Sequence, residues 1–112
     1  EGIKWILTEL NGKPIEQNDK SKQVIYFMLD TTQHYITGFG GCNQFFGGYK
    51  IEKPYQIKFQ KMTTTLKACD QMETESELLK VLEKVDNYSV NGKAISLNKA
   101  KMAPLARFER RN

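Results

Sequence analysis

The chain has 112 residues, 39% of them hydrophobic and 11% aromatic, with a net charge of +4. This length fits one domain with one core, and the composition excludes a disordered chain. The longest apolar run, Val24-Ile25-Tyr26-Phe27-Met28-Leu29, has the length of a strand, far short of the ~18 residues of a membrane-spanning helix.

In chain order, the first strand is read over Lys4 to Leu10, with Ile3, Trp5 and Leu7 alternating against Lys4, Ile6 and Thr8. Asn11-Gly12 supplies a tight turn, since both residues tolerate positive φ. Glu16 to Lys22 reads as loop. Val24 to Asp30 is a second strand, apolar enough for both faces to be covered, and Thr31 to Gln33 turns the chain. A third strand alternates Tyr35, Thr37 and Phe39 with Ile36 and Gly38, and His34, the single histidine, is placed at its start as a surface residue. Gly40-Gly41-Cys42-Asn43 interrupts the sheet. Asn43 is expected in a left-handed or turn conformation, with its amide tied to the loop backbone.

Phe45 to Ile51 is the fourth strand, with Gly47-Gly48 marking a bulge or a close backbone approach. Lys53-Pro54 turns into a fifth strand over Gln56 to Met62, with Ile57 and Phe59 on one side and Lys58 and Gln60 on the other. Met72, Leu78, Leu79, Leu82 and Val85 then form the one helical stripe. Its start is open between two capping-box patterns, Asp70-x-x-Glu73 and Thr74-x-x-Glu77. Tyr88 to Val90 and Lys93 to Leu97 flank an Asn91-Gly92 hairpin turn, and Leu105 to Glu109 closes the chain after Pro104. About eight strands and one helix inserted after the fifth strand define a mostly β, α+β fold. Its economical form is a curled antiparallel sheet or partly open barrel with the helix across one opening, spanning residues 1–112 as one domain.

The chemistry-bearing residues are few. Basic residues gather at 50 to 67 and 93 to 112 and acidic ones at 70 to 86, which reads as a solvated surface, so nucleic acid is not an expected partner. Cys42 and Cys69 allow one disulfide, a buried thiol pair or a redox site. One His and two Cys do not make a structural zinc site, and no metal or cofactor is expected. Glycines 40, 41, 47 and 48 lack the spacing and the following Lys-Ser/Thr of a phosphate loop. Thr63-Thr64-Thr65 has no evident base beside it, and no catalytic residue is nominated. Tyr26, Phe27, Phe39, Phe45, Phe46, Tyr49 and Phe59 read as core packing, with a barrel-mouth pocket for a small apolar ligand as the alternative.

The run Gly40-Gly41-Cys42-Asn43-Gln44-Phe45-Phe46-Gly47-Gly48-Tyr49, followed by Thr65-Leu66-Lys67-Ala68-Cys69 and by Glu75 ahead of Leu78-Leu79-x-x-Leu82, resembles the META domain, or HslJ-like, family. Trp5, Leu7, Gly41, Cys42, Asn43, Phe45, Gly47, Tyr49, Thr65, Ala68, Cys69 and Glu75 occupy the places of that family's pattern. The resemblance implies a small β-structure with one helix in a bacterial protein that is secreted or attached to the envelope as a lipoprotein and linked to stress (heat-shock) responses. It implies no established enzymatic activity. In such an envelope setting the two cysteines are expected as a disulfide. The preferred expectation is a monomeric, non-catalytic envelope or secreted domain that binds or supports another protein, held to the membrane, if at all, through a lipid on a preceding N-terminal segment. The alternative is a carrier of a lipid or acyl chain.

Overall fold

The computed structural model describes residues 3–15, 24–65, 72–100 and 104–111. In chain order the elements are β1 (Lys4–Leu10), β2 (Lys13–Pro14), β3 (Tyr26–Asp30), β4 (Tyr35–Phe39), β5 (Gln44–Ile51), β6 (Ile57–Thr64), α1 (Met72–Lys84), β7 (Asn87–Asn91), β8 (Ala94–Asn98) and β9 (Ala106–Arg111). All strand pairs are antiparallel, in the order β6-β5-β4-β3-β1-β9-β8-β7, with β2 paired to β1 alone.

The right-handed twist of such a sheet curls it until its two edges approach. At one corner they touch: Tyr88 N–H donates to Tyr55 O at 2.9 Å and Ile57 N–H to Asp86 O at 3.2 Å. The result is the expected curled half-barrel. With the two-residue β2 set aside, the helix follows the fifth strand; β2 itself is an addition that the polar Lys13-Pro14 pair did not announce.

The helix lies across one end. Its side chains reach the β4–β5 loop, through Glu75, and the β1–β2 turn, where Asn11 Nδ2 donates to Glu77 Oε2 at 3.4 Å. Of the expected stripe, Leu78 and Leu82 of α1 and Val85 just beyond it are buried, Leu79 is half-buried and Met72 is exposed, while Val81, which was not in the stripe, is buried with them. The buried four meet the inward residues of the strands, among them Leu7, Phe27, Ile36, Phe45, Leu97 and Phe108. Phe108 packs edge-on to Phe27, with ring centroids 4.6 Å apart.

Two irregularities tune the sheet. A register shift between Leu7 and Glu9 against β9 puts Leu10 back on the core face with Leu7. The second lies opposite the glycine pair. Phe46 faces Thr63 and Gly48 faces Gln60, so the extra residue belongs to β6 and is Lys61, whose φ is 55°. The Gly47-Gly48 segment is therefore regular and the expected bulge sits on its neighbour. Gly47 is instead a site of close approach: a Cβ there would lie 2.5 Å from Met62 Sδ.

Other expectations shift. β3 begins at Tyr26, not Val24, and only one of its faces enters the core: Phe27 is buried while Tyr26 and Met28 are half-exposed. His34 is exposed as expected but lies in the turn before β4, with φ of 59°. The Asn11-Gly12 turn has both residues at positive φ, 52° and 82°, as a two-residue hairpin of that handedness needs. In the later hairpin Asn91 pairs with Ala94, so the turn is Gly92-Lys93, one residue on from the expected pair. Thr74 lies inside α1, which rules out the second capping box; Asp70 of the first lies outside the described residues.

Phe108→Ala removes a fully enclosed ring from the middle of this core. The expected loss is about 3–5 kcal/mol of unfolding free energy, read as a lower urea midpoint with an unchanged slope.

Candidate functional site

The family-like residues converge on one buried carboxyl group. Glu75 is 2% exposed and Asn43 3% exposed. Glu75 Oε1 accepts the N–H groups of Cys42, at 3.0 Å, and of Asn43, while Oε2 accepts Asn43 Nδ2 at 2.7 Å. Asn43 Oδ1 accepts the Thr65 hydroxyl at 2.9 Å, and the Thr65 oxygen accepts Gln44 N–H at 3.2 Å. Thr65 N–H donates to Gln44 O, and Gly40 N–H to Asn43 O. One network thus ties the β4–β5 loop, the end of β6 and the first turn of α1.

Local geometry makes this possible. Gly41 has φ of 118°, a conformation open to glycine, and it turns the Cys42 and Asn43 amides toward the helix. A Cβ on Gly40 would come within 2.7 Å of Glu75 Cγ. Burying an acidic group is costly unless donors surround it, and hydrogen bonds to a charged group contribute about 1.5–3 kcal/mol each. Three donors on two oxygens, away from water, make Glu75 an anchor between helix and loop. The Asn43 amide nitrogen reaches Glu75 across the chain, and Asn43, in the bend between β4 and β5, is not among the positive-φ residues, so of the expected left-handed or turn conformation it is the turn that is found.

The other motif residues divide. Phe45 is buried in the core, its ring over Gly38, where a Cβ would lie 2.5 Å from Phe45 Cζ. Tyr49 is buried at the opposite end of β5, and Gly47 lies beneath Met62. The Thr63 hydroxyl donates to Phe46 O at 3.3 Å, so it too has a structural partner. Of the aromatics assigned to the core, Phe27, Phe45, Tyr49 and Phe59 are buried, Tyr26 and Phe39 half-buried, and Phe46 exposed. Cys42 is buried beside the network; Ala68 and Cys69 lie outside the described residues. No group of His, Cys, Asp and Glu among the described residues could hold a metal ion. No helix among them is long and apolar enough to cross a membrane.

The end of the half-barrel away from the helix is open. There Trp5, Leu29, Tyr49, Ile57, Tyr88 and Ile95, from six different strands, line a cleft of about 280 Å³. Ile51 and Val90 stand at its rim, 48% and 51% exposed. Tyr49 OH donates to Asp30 O at 3.4 Å, and burial, with Asp30 and Tyr88 nearby, raises its pKa above the usual phenol value. Of the aromatics for which a barrel-mouth pocket was the alternative reading, Tyr49 lines this cleft; its other walls were not foreseen because they are single residues from strands that are distant along the chain. The alternation along each strand was the available signal.

At the seam where the sheet edges meet, Asp86 is an organising residue. Ala100 N–H, the Asn87 side chain and Lys99 hold its carboxyl below the ordinary carboxylate range.

A curled antiparallel half-barrel, capped by one helix and pinned through a Gly-Cys-Asn loop to a buried Glu, is a small β-domain of defined type. The chain belongs to the META domain family, whose profile matches residues 1–112, the whole sequence. A protein from Burkholderia xenovorans solved by NMR is similar in fold, with a TM-score of 0.75 and 21% identity over 99% of this chain and 83% of that one. A second NMR structure is similar at a TM-score of 0.68 and 19% identity, over 96% of this chain and 87% of the other. No curated protein matches significantly.

Glu75→Gln keeps the shape but turns an NH₂ group toward an N–H donor. We expect a loss of about 1–3 kcal/mol, measured by urea unfolding. Tyr49 contributes with the opposite sign to a carboxylate. Its raised pKa means that its contribution is complete below about pH 10 and is lost as pH rises through the folded value. Alkaline titration of stability should therefore fall more steeply in the parent than in Tyr49→Phe.

Proposed function

We propose that this chain is a non-catalytic binding domain of the bacterial envelope or of secreted protein, and that its working site is the open mouth of the half-barrel. The observation behind this reading is the contrast between the two ends. At the helix end the polar motif residues bond to one another, whereas the far end presents an apolar concavity. A cleft near the lower limit of ligand-pocket size, roughly 300 Å³, suits a small hydrophobic molecule such as an acyl chain. A second reading draws on the rim. Exposed Ile51 and Val90, with Tyr55 beside Tyr88, offer an apolar patch to a partner protein, in keeping with a supporting role under stress.

We also propose that Cys42 and Cys69 pair. They are the only two cysteines, and no cysteine among the described residues is free. A loop of this length would stabilise the fold by about 3–4 kcal/mol in the chain-entropy model. Such a bond suits an oxidising compartment outside the cytoplasm.

Native mass spectrometry on protein purified gently from its own host's envelope tests the function. A reproducible extra mass of lipid size, absent from Val90→Glu, is expected if the mouth carries a small ligand. An apo mass, together with a partner crosslinked from position 90, would favour the protein reading. An apo mass with no such crosslink would contradict both.

A further inference from the structure

Arg110 is a polar residue at this end with a buried donor that has no acceptor among the described residues. It sits in β9 directly opposite Trp5 of β1, which lines the cleft. Strand alternation puts it on the same face as buried Ala106 and Phe108, the inner face of the half-barrel, at the rim. Its Nε is sealed from solvent yet meets no acceptor among the described residues. A buried guanidinium donor left unpaired is a cost that native structures rarely carry without a reason.

The nearby charges sharpen the point. Arg110 N–H donates to Lys93 O, which brings a second cationic residue to the same edge. Glu109, next in the chain, is exposed and so on the outer face. Asp30, near Tyr49, points its Oδ1 into its own turn, where it accepts Thr32 and Gln33 N–H at 2.9 and 3.1 Å. Arg107, just before Phe108, faces outward to Glu9 at 3.8 Å, so Glu9 has another partner.

We propose that the mouth takes an amphipathic carboxylate, such as a medium-chain fatty acid, with its hydrocarbon body against Trp5, Tyr88 and Ile95 and its carboxylate on Arg110. The proposal rests on the small-ligand reading above and adds the head group. An apolar cleft fixes the body of the ligand, and one guanidinium fork selects a planar carboxylate by paired N–H donors. A neutral molecule of the same length would fill the same space and leave Nε unpaired.

Trp5 is the only tryptophan in the chain, so its fluorescence reports on the cleft directly. The protein is titrated with decanoate and with decan-1-ol, both below their aggregation limits. The expected result is saturable change with both and about tenfold tighter binding of decanoate. In Arg110→Gln the two affinities should converge through loss of decanoate affinity alone, and Arg110→Lys should keep part of the preference. Binding of both probes with equal affinity in the parent, or a preference that survives Arg110→Gln, would overturn the role of Arg110 and leave the small-ligand reading standing. No binding of either probe would overturn both. If Arg110→Gln failed to fold, loss of the preference as salt is raised in the parent, with decan-1-ol binding unchanged, would carry the same decision.

Discussion

The Glu75 carboxyl group ties the first turn of α1 to the β4–β5 loop and, through Asn43, to the end of β6. It leaves the first turn of α1, where an acidic side chain would ordinarily face solvent near the helix dipole, and turns inward to take the amides of Cys42 and Asn43. The helix must therefore sit over the β4–β5 loop, and the loop must keep the shape that directs those amides. Gly40 and Gly41 follow from that demand, one to make room for the glutamate and one to adopt its φ. Thr65 follows as well, since it holds the other side of the Asn43 amide. With the helix fixed, Leu78, Val81 and Leu82 close one end of the half-barrel and complete the core.

This arrangement separates the polar network from the apolar mouth. The motif residues that look chemical in the sequence, a carboxylic acid, an amide and hydroxyls, are inside and mutually bonded. An apolar concavity lies at the other end, where the sheet's own curl leaves an opening that α1 does not cover. There the side chains are mostly apolar; Tyr49 finds Asp30 O, and Arg110 Nε, on the strand beside Trp5, finds no acceptor among the described residues.

Local rules were legible from sequence wherever one residue or one period decides the outcome. Asn11-Gly12 makes its turn by backbone preference alone, and the helix follows its apolar stripe. The half-barrel follows from counting strands against one helix. Features that depend on what lies across the sheet were not legible. The Lys61 bulge, the shift after Leu7 and the crowding at Gly38 are set by register and by facing side chains. The Asn43 amide and the Glu75 carboxyl were both noticed as motif members, but their bond spans 32 positions, and no spacing rule points to it. The mouth was foreseen as an alternative with Tyr49 as the one named residue that lines it, because Ile57, Tyr88 and Ile95 become neighbours only when the sheet curls.

Native-state hydrogen exchange at the Cys42 and Asn43 amides tests the central claim most directly. If the Glu75 carboxyl pins loop to helix, these two loop amides exchange only through global opening, with the same free energy and denaturant dependence as the core amides of Phe27 and Leu82. Exchange of Cys42 and Asn43 through a low-energy local opening, while the core stays protected, would contradict the account.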